Sequence, residues 1–237
     1  LVRDVKEASM DNTAIIFNCH YNGLSIIQAL GQAGVKCVAM DNNRSIGTFS
    51  KYASYVKCPD PLVEEERFIQ FLYKYCEAQE LRPVLFPTND HWATAISKNK
   101  ESLQKVSFPC VAKWETVGLL INKEKFYKIG KERHYLTPSV WTFGELDCIT
   151  RNDFPLVVKP LYRRTSSTDE KMQYISTNMD RLRFTLLNNI NELEQFILRE
   201  GDFLSYLVIQ QYVHGLSDCM YTVGIYADQH STVKGLF

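Results

Sequence analysis

The first 110 residues alternate short apolar runs with longer amphipathic segments, and this alternation constrains the fold more than any other feature. The runs 13–17 and 36–40 have the length and apolar content of buried strands. In the segment 23–33 between them, apolar residues recur at helical spacing, and Gly34 is a typical helix C-cap. Because parallel strands need a crossover connection, the pattern predicts a Rossmann-like βαβ unit.

The turn after the first run contains a single glycine. A dinucleotide-binding fingerprint, G-x-G-x-x-G, needs three glycines so that a pyrophosphate can approach the backbone, whereas residues 18–23 contain only Gly23. The sequence therefore predicts this fold without a dinucleotide cofactor, and it disfavours a nicotinamide-dependent oxidoreductase.

Polar residues follow several of the predicted strands. Asn18 and Asp41 follow the first two strands, and Thr88 and Asp90 follow the buried run at 83–87. Ligands of open α/β sheets bind at the carboxyl ends of the strands, so we expect these four side chains to line one crevice. The same residue types are also common in turns and helix N-caps, and capping the next helix is an alternative role for Asp90.

Composition and charge narrow the functional classes. The 237 residues include 27 Lys+Arg and 27 Asp+Glu, so the sequence lacks the basic excess of a nucleic-acid-binding protein. Its apolar runs are far shorter than the roughly 18 residues of a membrane span, and its first residues do not resemble a secretory signal. We therefore expect a cytoplasmic protein that binds neither nucleic acid nor membranes. The seven cysteines form no C-x-x-C pair, which argues against a zinc site.

A lysine ends the apolar stretch 154–160, which has the sequence FPLVVKP and is predicted to be a buried strand. The ammonium of Lys159 would lose hydration there unless it reaches solvent or meets a negative group. Two interpretations follow from these residues. Either Lys159 turns outward to solvent, or it points at a phosphate.

The second part of the chain has an α+β pattern. Its predicted elements are a helix from residue 122, strands at 154–159, 183–187 and 207–213, a helix at 190–199 capped by Asn188 or Asn189, and a hairpin formed by 221–226 and 232–237.

Four stretches in this order resemble the ATP-grasp superfamily, and in particular carboxylate–amine ligases of the D-aspartate-ligase type. The stretches are LFPTND at 85–90, NK at 122–123, FPLVVKP at 154–160 and the segment 208–215. The resemblance implies an α/β fold with a Rossmann-like preATP-grasp domain and an incomplete α+β ATP-grasp domain. It places the preATP-grasp domain at 1–115, the first lobe at 116–206, and the hinge strand with the start of a truncated second lobe at 207–237.

The same resemblance implies an ATP site. Two lysines, Lys123 and Lys159, would bind the phosphates, and Lys159 would also act catalytically by stabilising charge during phosphoryl transfer. Asp218 would accept the ribose hydroxyls. The adenine would bind the hinge, chiefly through a carbonyl near Gln211 and an N–H near Val213. The hinge residues are Gln210, Gln211, Tyr212 and Val213.

Two features depart from the family pattern. The hinge has Gln210 and Gln211 where relatives often have a glutamate, although a glutamine carbonyl can also accept from the adenine amine. The loop 161–171 contains no glycine, so Arg163 and Arg164 would contact the phosphates or substrate in place of a glycine-rich flap, unless the loop is simply solvated. Asn18, Thr88 and Asp90 are the other substrate-binding residues that we predict.

The family's Mg²⁺ ligands come from strands that would lie beyond Phe237. We therefore expect a fragment that binds ATP weakly, without turnover, of a parent ligase that joins a carboxylate to an amine or thiol through an acyl phosphate. Small-molecule carboxylate and amine substrates are the expected partners, and a homodimer is the expected oligomer. The alternative is a non-catalytic nucleotide-binding or assembly module with the same fold.

Overall fold

The computed structural model describes residues 11–161, 174, 177, 178, 181, 182, 185–228 and 230–237. The chain divides into two compact units, residues 1–118 and 119–237. The three-part division inferred from the resemblance stays a prediction, because a division into two units does not separate the lobes of the second.

The first unit is a parallel five-stranded sheet with strand order β3-β2-β1-β4-β5. Its strands are β1 (Ala14–Phe17), β2 (Cys37–Asp41), β3 (Ala53–Lys57), β4 (Val84–Pro87) and β5 (Phe108–Pro109). Its helices are α1 (Tyr21–Gln32), α2 (Glu65–Glu77), α3 (Asp90–Lys98), α4 (Lys100–Leu103) and a 3-10 helix at Ile46–Phe49, and α5 (Trp114–Ile121) leads out of the unit. The βαβ unit expected from the sequence is present, with β1 parallel to β2.

Both faces of this sheet are covered, as the short continuous apolar runs predict. Alternate residues of β1 enter different cores, because successive side chains of a strand point to opposite faces. Ile16 packs in a cluster with Ile27 of α1, whereas Phe17 packs with Phe68 of α2 and Trp92 of α3. Because both faces of the sheet are covered by apolar clusters, polar side chains are placed at the carboxyl ends of the strands.

The second unit contains an antiparallel four-stranded sheet with strand order β6-β9-β7-β8 and a separate hairpin. The strands are β6 (Val140–Trp141), β7 (Leu156–Pro160), β8 (Leu186–Leu187), β9 (Leu207–Gln211), β10 (Ile225–Ala227) and β11 (Val233–Leu236). The helices are α6 (Lys123–Glu132) and α7 (Ile190–Glu200), with 3-10 helices at Phe143–Cys148, Arg151–Asp153, Gly201–Tyr206 and Ser217–Cys219.

Asparagine side chains cap the N-termini of three of the described helices. Asn89 caps α3 by accepting a hydrogen bond from the backbone of Trp92, so the capping role considered for Asp90 belongs to its neighbour. Asn122 caps α6 and Asn189 caps α7 in the same way. The predicted strand 207–213 ends at Gln211, which leaves Tyr212 and Val213 outside the sheet.

A buried carboxylate joins the end of α7 to the segment before β8. The side chain of Glu200 has no exposed surface, and it accepts hydrogen bonds from Arg181 Nη1 and Arg199 Nε, each at 2.8 Å. Burial raises the pKa of Glu200, but the hydrogen bonds from the two guanidinium groups outweigh it and hold the pKa below its usual value. The charge of Glu200 therefore stabilises the fold at neutral pH.

None of the described helices combines the length and the apolar character needed to cross a membrane.

Candidate functional site

One face of the β7–β9 pair carries two polar side chains, those of Lys159 and Gln210. Lys159 lies opposite Val208, and Gln210 lies opposite Val157. Because residues directly opposite each other share a face, these four side chains lie on one side of the sheet. The alternate residues of both strands belong to the buried core on the other side. The sequence FPLVVKP thus places its lysine on the face that the core does not occupy.

The Lys159 ammonium donates a hydrogen bond to the amide oxygen of Gln210, and the Nζ to Oε1 distance is 2.8 Å. Burial lowers the pKa of Lys159, because removing an ammonium from water disfavours its charged form. Within the described residues, Lys159 takes part in no ion pair. Its charge is therefore held by a neutral amide, and an anion would be a better partner.

Tyr127 of α6 contacts the same amide oxygen. Its hydroxyl lies 2.8 Å from Oε1 of Gln210, and burial raises the pKa of the phenol, so the hydroxyl keeps its proton and donates it. The sequence analysis did not predict this residue. A signal for it was present, because Tyr127 lies four residues after Lys123 and therefore on the same face of the helix.

Lys123 stands at the first position of α6, immediately after the capping Asn122. Its ammonium donates to the carbonyl oxygen of Leu161, the residue that follows β7, at 3.3 Å. The N-terminus of α6 and the end of β7 are therefore neighbours in this unit. Both predicted phosphate lysines belong to these two elements.

The segment after β9 is exposed, and two of its backbone groups have different environments. The N–H of Tyr212 donates to the carbonyl of Pro155 at 3.0 Å, whereas the N–H of Val213 has no hydrogen-bond partner in the part of the chain that the structure describes. The carbonyl of Gln211 receives only a long contact of 3.4 Å from the Gln210 amide. An acceptor and a donor two residues apart thus remain for a ligand.

Asp218 lies in the exposed 3-10 helix Ser217–Cys219, and the Cys219 thiol makes a weak contact of 3.6 Å with its carboxylate. None of the described contacts joins it to Lys123, Lys159 or Gln210. Its predicted role on the ribose stays a prediction. Arg163 and Arg164, together with the rest of the loop through residue 171, lie outside the described residues.

In the first unit, Asn18 and Thr88 lie together at the carboxyl ends of the neighbouring strands β1 and β4. The Asn18 amide donates to the Thr88 hydroxyl at 3.3 Å, and that hydroxyl lies 2.8 Å from the carbonyl oxygen of Asn18. Asn18 has a φ of 50°, a left-handed conformation that asparagine tolerates better than most residues. These contacts tie the ends of the two strands together, and the predicted role of Asn18 and Thr88 in substrate binding stays a prediction.

Asp41 is buried and holds the turn between β1 and α1. Its carboxylate accepts hydrogen bonds at 2.8 Å from the Cys19 N–H and the Ser45 hydroxyl, and at 2.9 Å from the Asn42 N–H. The N–H of Gly47 donates to the Cys19 carbonyl at 2.6 Å, so close that a Cβ at residue 47 would lie 2.5 Å from this oxygen. In the turn between β1 and α1, both backbone groups of Cys19 are thus hydrogen-bonded within the protein.

Asp90 differs from these residues because its side chain is exposed and has no hydrogen-bond partner among the described residues. It is the first residue of α3, where a helix N-terminus favours negative charge. Of the four residues expected to line one crevice, Asn18 and Thr88 are in direct contact and Asp41 serves the neighbouring turn. Asp90 alone presents an uncommitted carboxylate.

Within the described residues, no group of three or more His, Cys, Asp or Glu side chains is arranged to hold a metal ion. The described residues therefore do not by themselves form a Mg²⁺ site.

The fold matches that of known ATP-grasp ligases over about half of their length. N5-carboxyaminoimidazole synthetase from Staphylococcus aureus matches 94% of this chain and 52% of its own, with 14% identity and a TM-score of 0.61. L-amino acid ligase from Bacillus licheniformis matches 86% of this chain and 45% of its own, with 17% identity and a TM-score of 0.58.

A third similar structure is carboxyaminoimidazole ribonucleotide synthase from Aspergillus clavatus complexed with ATP, with 11% identity and a TM-score of 0.55 over 86% of this chain and 48% of its own. The chain therefore spans about half the length of these ligases. No protein-family model and no curated protein sequence matched it.

Proposed function

We propose that this chain is the ATP-binding part of a ligase that joins a carboxylate to an amine or thiol through an acyl-phosphate intermediate. The observation that carries the proposal is the half-buried ammonium of Lys159, which has the neutral amide of Gln210 as its partner on the face of β7 and β9 that Tyr127 contacts. The fold supports it, because a structure with the same fold is complexed with ATP. ATP would supply the γ-phosphate that the substrate carboxylate attacks.

In this proposal, groups of the second unit bind the phosphates, the adenine and the ribose of ATP. Lys159 and Lys123 bind the phosphates, where their charges offset the negative charge of the nucleotide. The carbonyl of Gln211 and the N–H of Val213 bind the adenine edge, because neither group makes a strong hydrogen bond within the described residues. Asp218 binds the ribose hydroxyls.

The substrate side of the proposal rests on the first unit. Asp90 binds the amino group of a substrate, since its carboxylate is exposed at the N-terminus of α3. Asn18 and Thr88 shape the edge beside it through their mutual hydrogen bond. Arg163 and Arg164 are proposed to contact the phosphates or the substrate carboxylate. The protein as a whole is proposed to work in the cytoplasm as a homodimer, with Mg²⁺ as the metal that accompanies ATP.

The test is a calorimetric titration of the purified chain with ATP and Mg²⁺. We expect saturable binding that Lys159→Ala weakens about 10- to 100-fold, the range for losing a hydrogen bond to a charged group. Lys105→Ala is the matched control, because it removes the same charge from an exposed residue of the first unit. Absence of saturation in the wild type, or equal affinities in the two variants, would refute the proposal.

The second candidate function is a nucleotide-binding module that does not catalyse ligation. Its supporting observation is Gln210, whose amide oxygen is occupied by Lys159 and Tyr127 and is not offered to the base. ADP release separates the two functions. If ATP binds and neither a carboxylate nor an amine substrate stimulates ADP release by the full-length protein, the module is favoured over the ligase.

A further inference from the structure

We propose that Tyr127 and Gln210 form a positioning pair that presents Lys159 to the phosphates, and that the Gln210 side chain does not read the nucleobase. This inference rests on the proposed ATP-binding function and assigns a role within the same site. Tyr127 is a positioning residue here, because it acts on Lys159 through Gln210 and not by direct contact.

The amide oxygen of Gln210 has no free hydrogen-bonding capacity. A carbonyl oxygen has two lone pairs, and Oε1 accepts one hydrogen bond from Lys159 and one from Tyr127, both at 2.8 Å. The oxygen is thus saturated. A nucleobase amine would have to displace one of these donors, and displacing the ammonium would leave a half-buried charge without its acceptor.

The second step is the orientation of the amide. An ammonium is only a donor, so a flipped amide would place its NH₂ group against the Lys159 NH₃⁺. With Oε1 toward Lys159, the NH₂ group faces the Gln211 carbonyl at 3.4 Å. The Tyr127 hydroxyl supplies the remaining constraint, since its short hydrogen bond holds Oε1 from the side of α6.

The third step is the scaffold that carries these groups. α6 contacts the β7–β9 region twice, through Lys123 to the Leu161 carbonyl at 3.3 Å and through Tyr127 to Gln210 at 2.8 Å. Residues 123 and 127 are one helical turn apart, so the two contacts lie on the same face of α6. The helix that provides one phosphate lysine therefore also fixes the acceptor of the other.

The consequence is a split between phosphate and base recognition. Loss of the Tyr127 hydroxyl frees the amide to rotate, which weakens the placement of Lys159 and reduces phosphate binding without a change in charge. Base recognition through the backbone after β9 is left intact. We expect Tyr127→Phe to raise the Kd for ATP about three- to tenfold, the magnitude of one net hydrogen bond, and to leave the Kd for adenosine unchanged.

The experiment compares Tyr127→Phe with Tyr135→Phe, which removes a hydroxyl from an exposed tyrosine of the same unit. Kd values for ATP, GTP and adenosine are measured for both variants, for Gln210→Leu, and for Tyr127→Phe combined with Lys159→Ala. We expect Tyr135→Phe to resemble the wild type. In the Lys159→Ala background, Tyr127→Phe should have no further effect, because a positioning residue has nothing left to position.

Specific results would overturn the inference. Equal loss of ATP and adenosine binding in Tyr127→Phe would show general damage to the site, and additive effects in the double variant would show that Tyr127 acts independently of Lys159. Gln210→Leu should weaken ATP and GTP by the same factor. A selective loss of ATP binding in that variant would show that Gln210 reads the base.

A nucleotide-free measurement separates this inference from the proposed function. In the protein without ligand, the side-chain NMR signal of Lys159 should change in Tyr127→Phe and not in Tyr135→Phe. If this change is seen while the wild type binds no ATP, the positioning pair stands and the proposed function fails. If the wild type binds ATP and Tyr127→Phe affects neither the signal nor the affinity, the positioning pair fails and the proposed function stands.

Discussion

Lys159 and Gln210 lie on adjacent antiparallel strands, and the ammonium of the first donates to the amide oxygen of the second at 2.8 Å. A carboxylate at position 210 would neutralise the lysine, whereas the amide satisfies one donor and leaves the charge uncompensated. Burial lowers the pKa of Lys159, because the loss of hydration disfavours its charged form and none of the described residues forms an ion pair with it. An anionic ligand is the partner that this arrangement favours.

The first prediction concerns the pH dependence of ATP affinity. Phosphate binding needs the charged lysine, so affinity should fall as the pH rises through the lowered pKa of Lys159, before the value of about 10.4 of an ordinary lysine. The facing Tyr127 keeps its proton over this range, because burial raises its pKa. Calorimetric titrations across alkaline pH provide the measurement.

The control for that prediction is Lys159→Arg, which stays charged at every pH used and should give a flatter profile. Stability should move in the opposite direction from affinity. With the pKa lower in the folded than in the unfolded state, the folded protein holds fewer protons between the two values, so its stability rises with pH in that window. Identical affinity profiles for lysine and arginine would count against Lys159 as the titrating group.

The second prediction concerns the adenine edge. Val213→Pro deletes the N–H that we assign to the base, and it should weaken ATP binding about tenfold or more. Val213→Ala keeps this N–H and should bind ATP like the wild type, since the side chain is 66% exposed. Calorimetric titration with ATP measures the affinity of both variants. Equal affinities would show that the N–H of Val213 does not bind the base.

The third prediction separates a structural from a functional aspartate in the first unit. Asp41→Ala removes a buried acceptor of three hydrogen bonds and should lower the free energy of unfolding by about 3 kcal/mol. Asp90→Ala should change stability by less than about 0.5 kcal/mol, because its carboxylate is exposed. Urea denaturation measures both values. A loss of ligase activity in Asp90→Ala alone would support its proposed role on the substrate.

The fourth prediction concerns the buried carboxylate of the second unit. Glu200→Gln leaves Arg181 and Arg199 without their charged partner. It should lower the free energy of unfolding by about 1.5 to 3 kcal/mol, the range for hydrogen bonds to a charged group, because both arginines are partly exposed and stay hydrated. Glu194→Gln, on the exposed side of the same helix, is the control.

The pH dependence of stability gives an independent check on Glu200. Its folded-state pKa is depressed, so its stabilising contribution is present above the unfolded value of about 4.3 and is lost as the pH falls through the folded one. Denaturation midpoints between neutral and acidic pH should therefore fall more steeply for the wild type than for Glu200→Gln. Parallel curves would contradict this assignment.

The fifth prediction concerns thiol reactivity. Cys19, Cys37, Cys58 and Cys76 are buried, and burial raises the pKa of Cys19 and of Cys76 to about 12, so these thiols should react only on unfolding. The thiols Cys110, Cys148 and Cys219 belong to exposed residues and should react in the native protein. Cys110 should be the slowest, because partial loss of hydration raises the pKa of its thiol. A thiol-reactive chromophore, added with and without denaturant, measures how many thiols react in the native and in the unfolded protein.

The alternation of apolar runs and amphipathic segments determined the fold of the first unit. Strand length, the glycine after α1 and the requirement for a crossover are local properties, so the parallel βαβ unit could be predicted from sequence. The same local signals gave the helix starting at Lys123 and the strand carrying Lys159. The resemblance to ATP-grasp ligases rested on these elements, and the fold confirmed it.

Only the tertiary structure decided which polar side chains already form hydrogen bonds within the protein. Asp41 ends β2 and Asp90 lies shortly after β4, yet Asp41 accepts three hydrogen bonds inside the protein and Asp90 accepts none among the described residues. Tyr127 and Gln210 are 83 residues apart, and their contact depends on how α6 packs on the β7–β9 pair. Sequence spacing fixes the face of a helix or strand. It does not fix which side chain of another element a residue contacts, because that depends on the packing of elements distant in sequence.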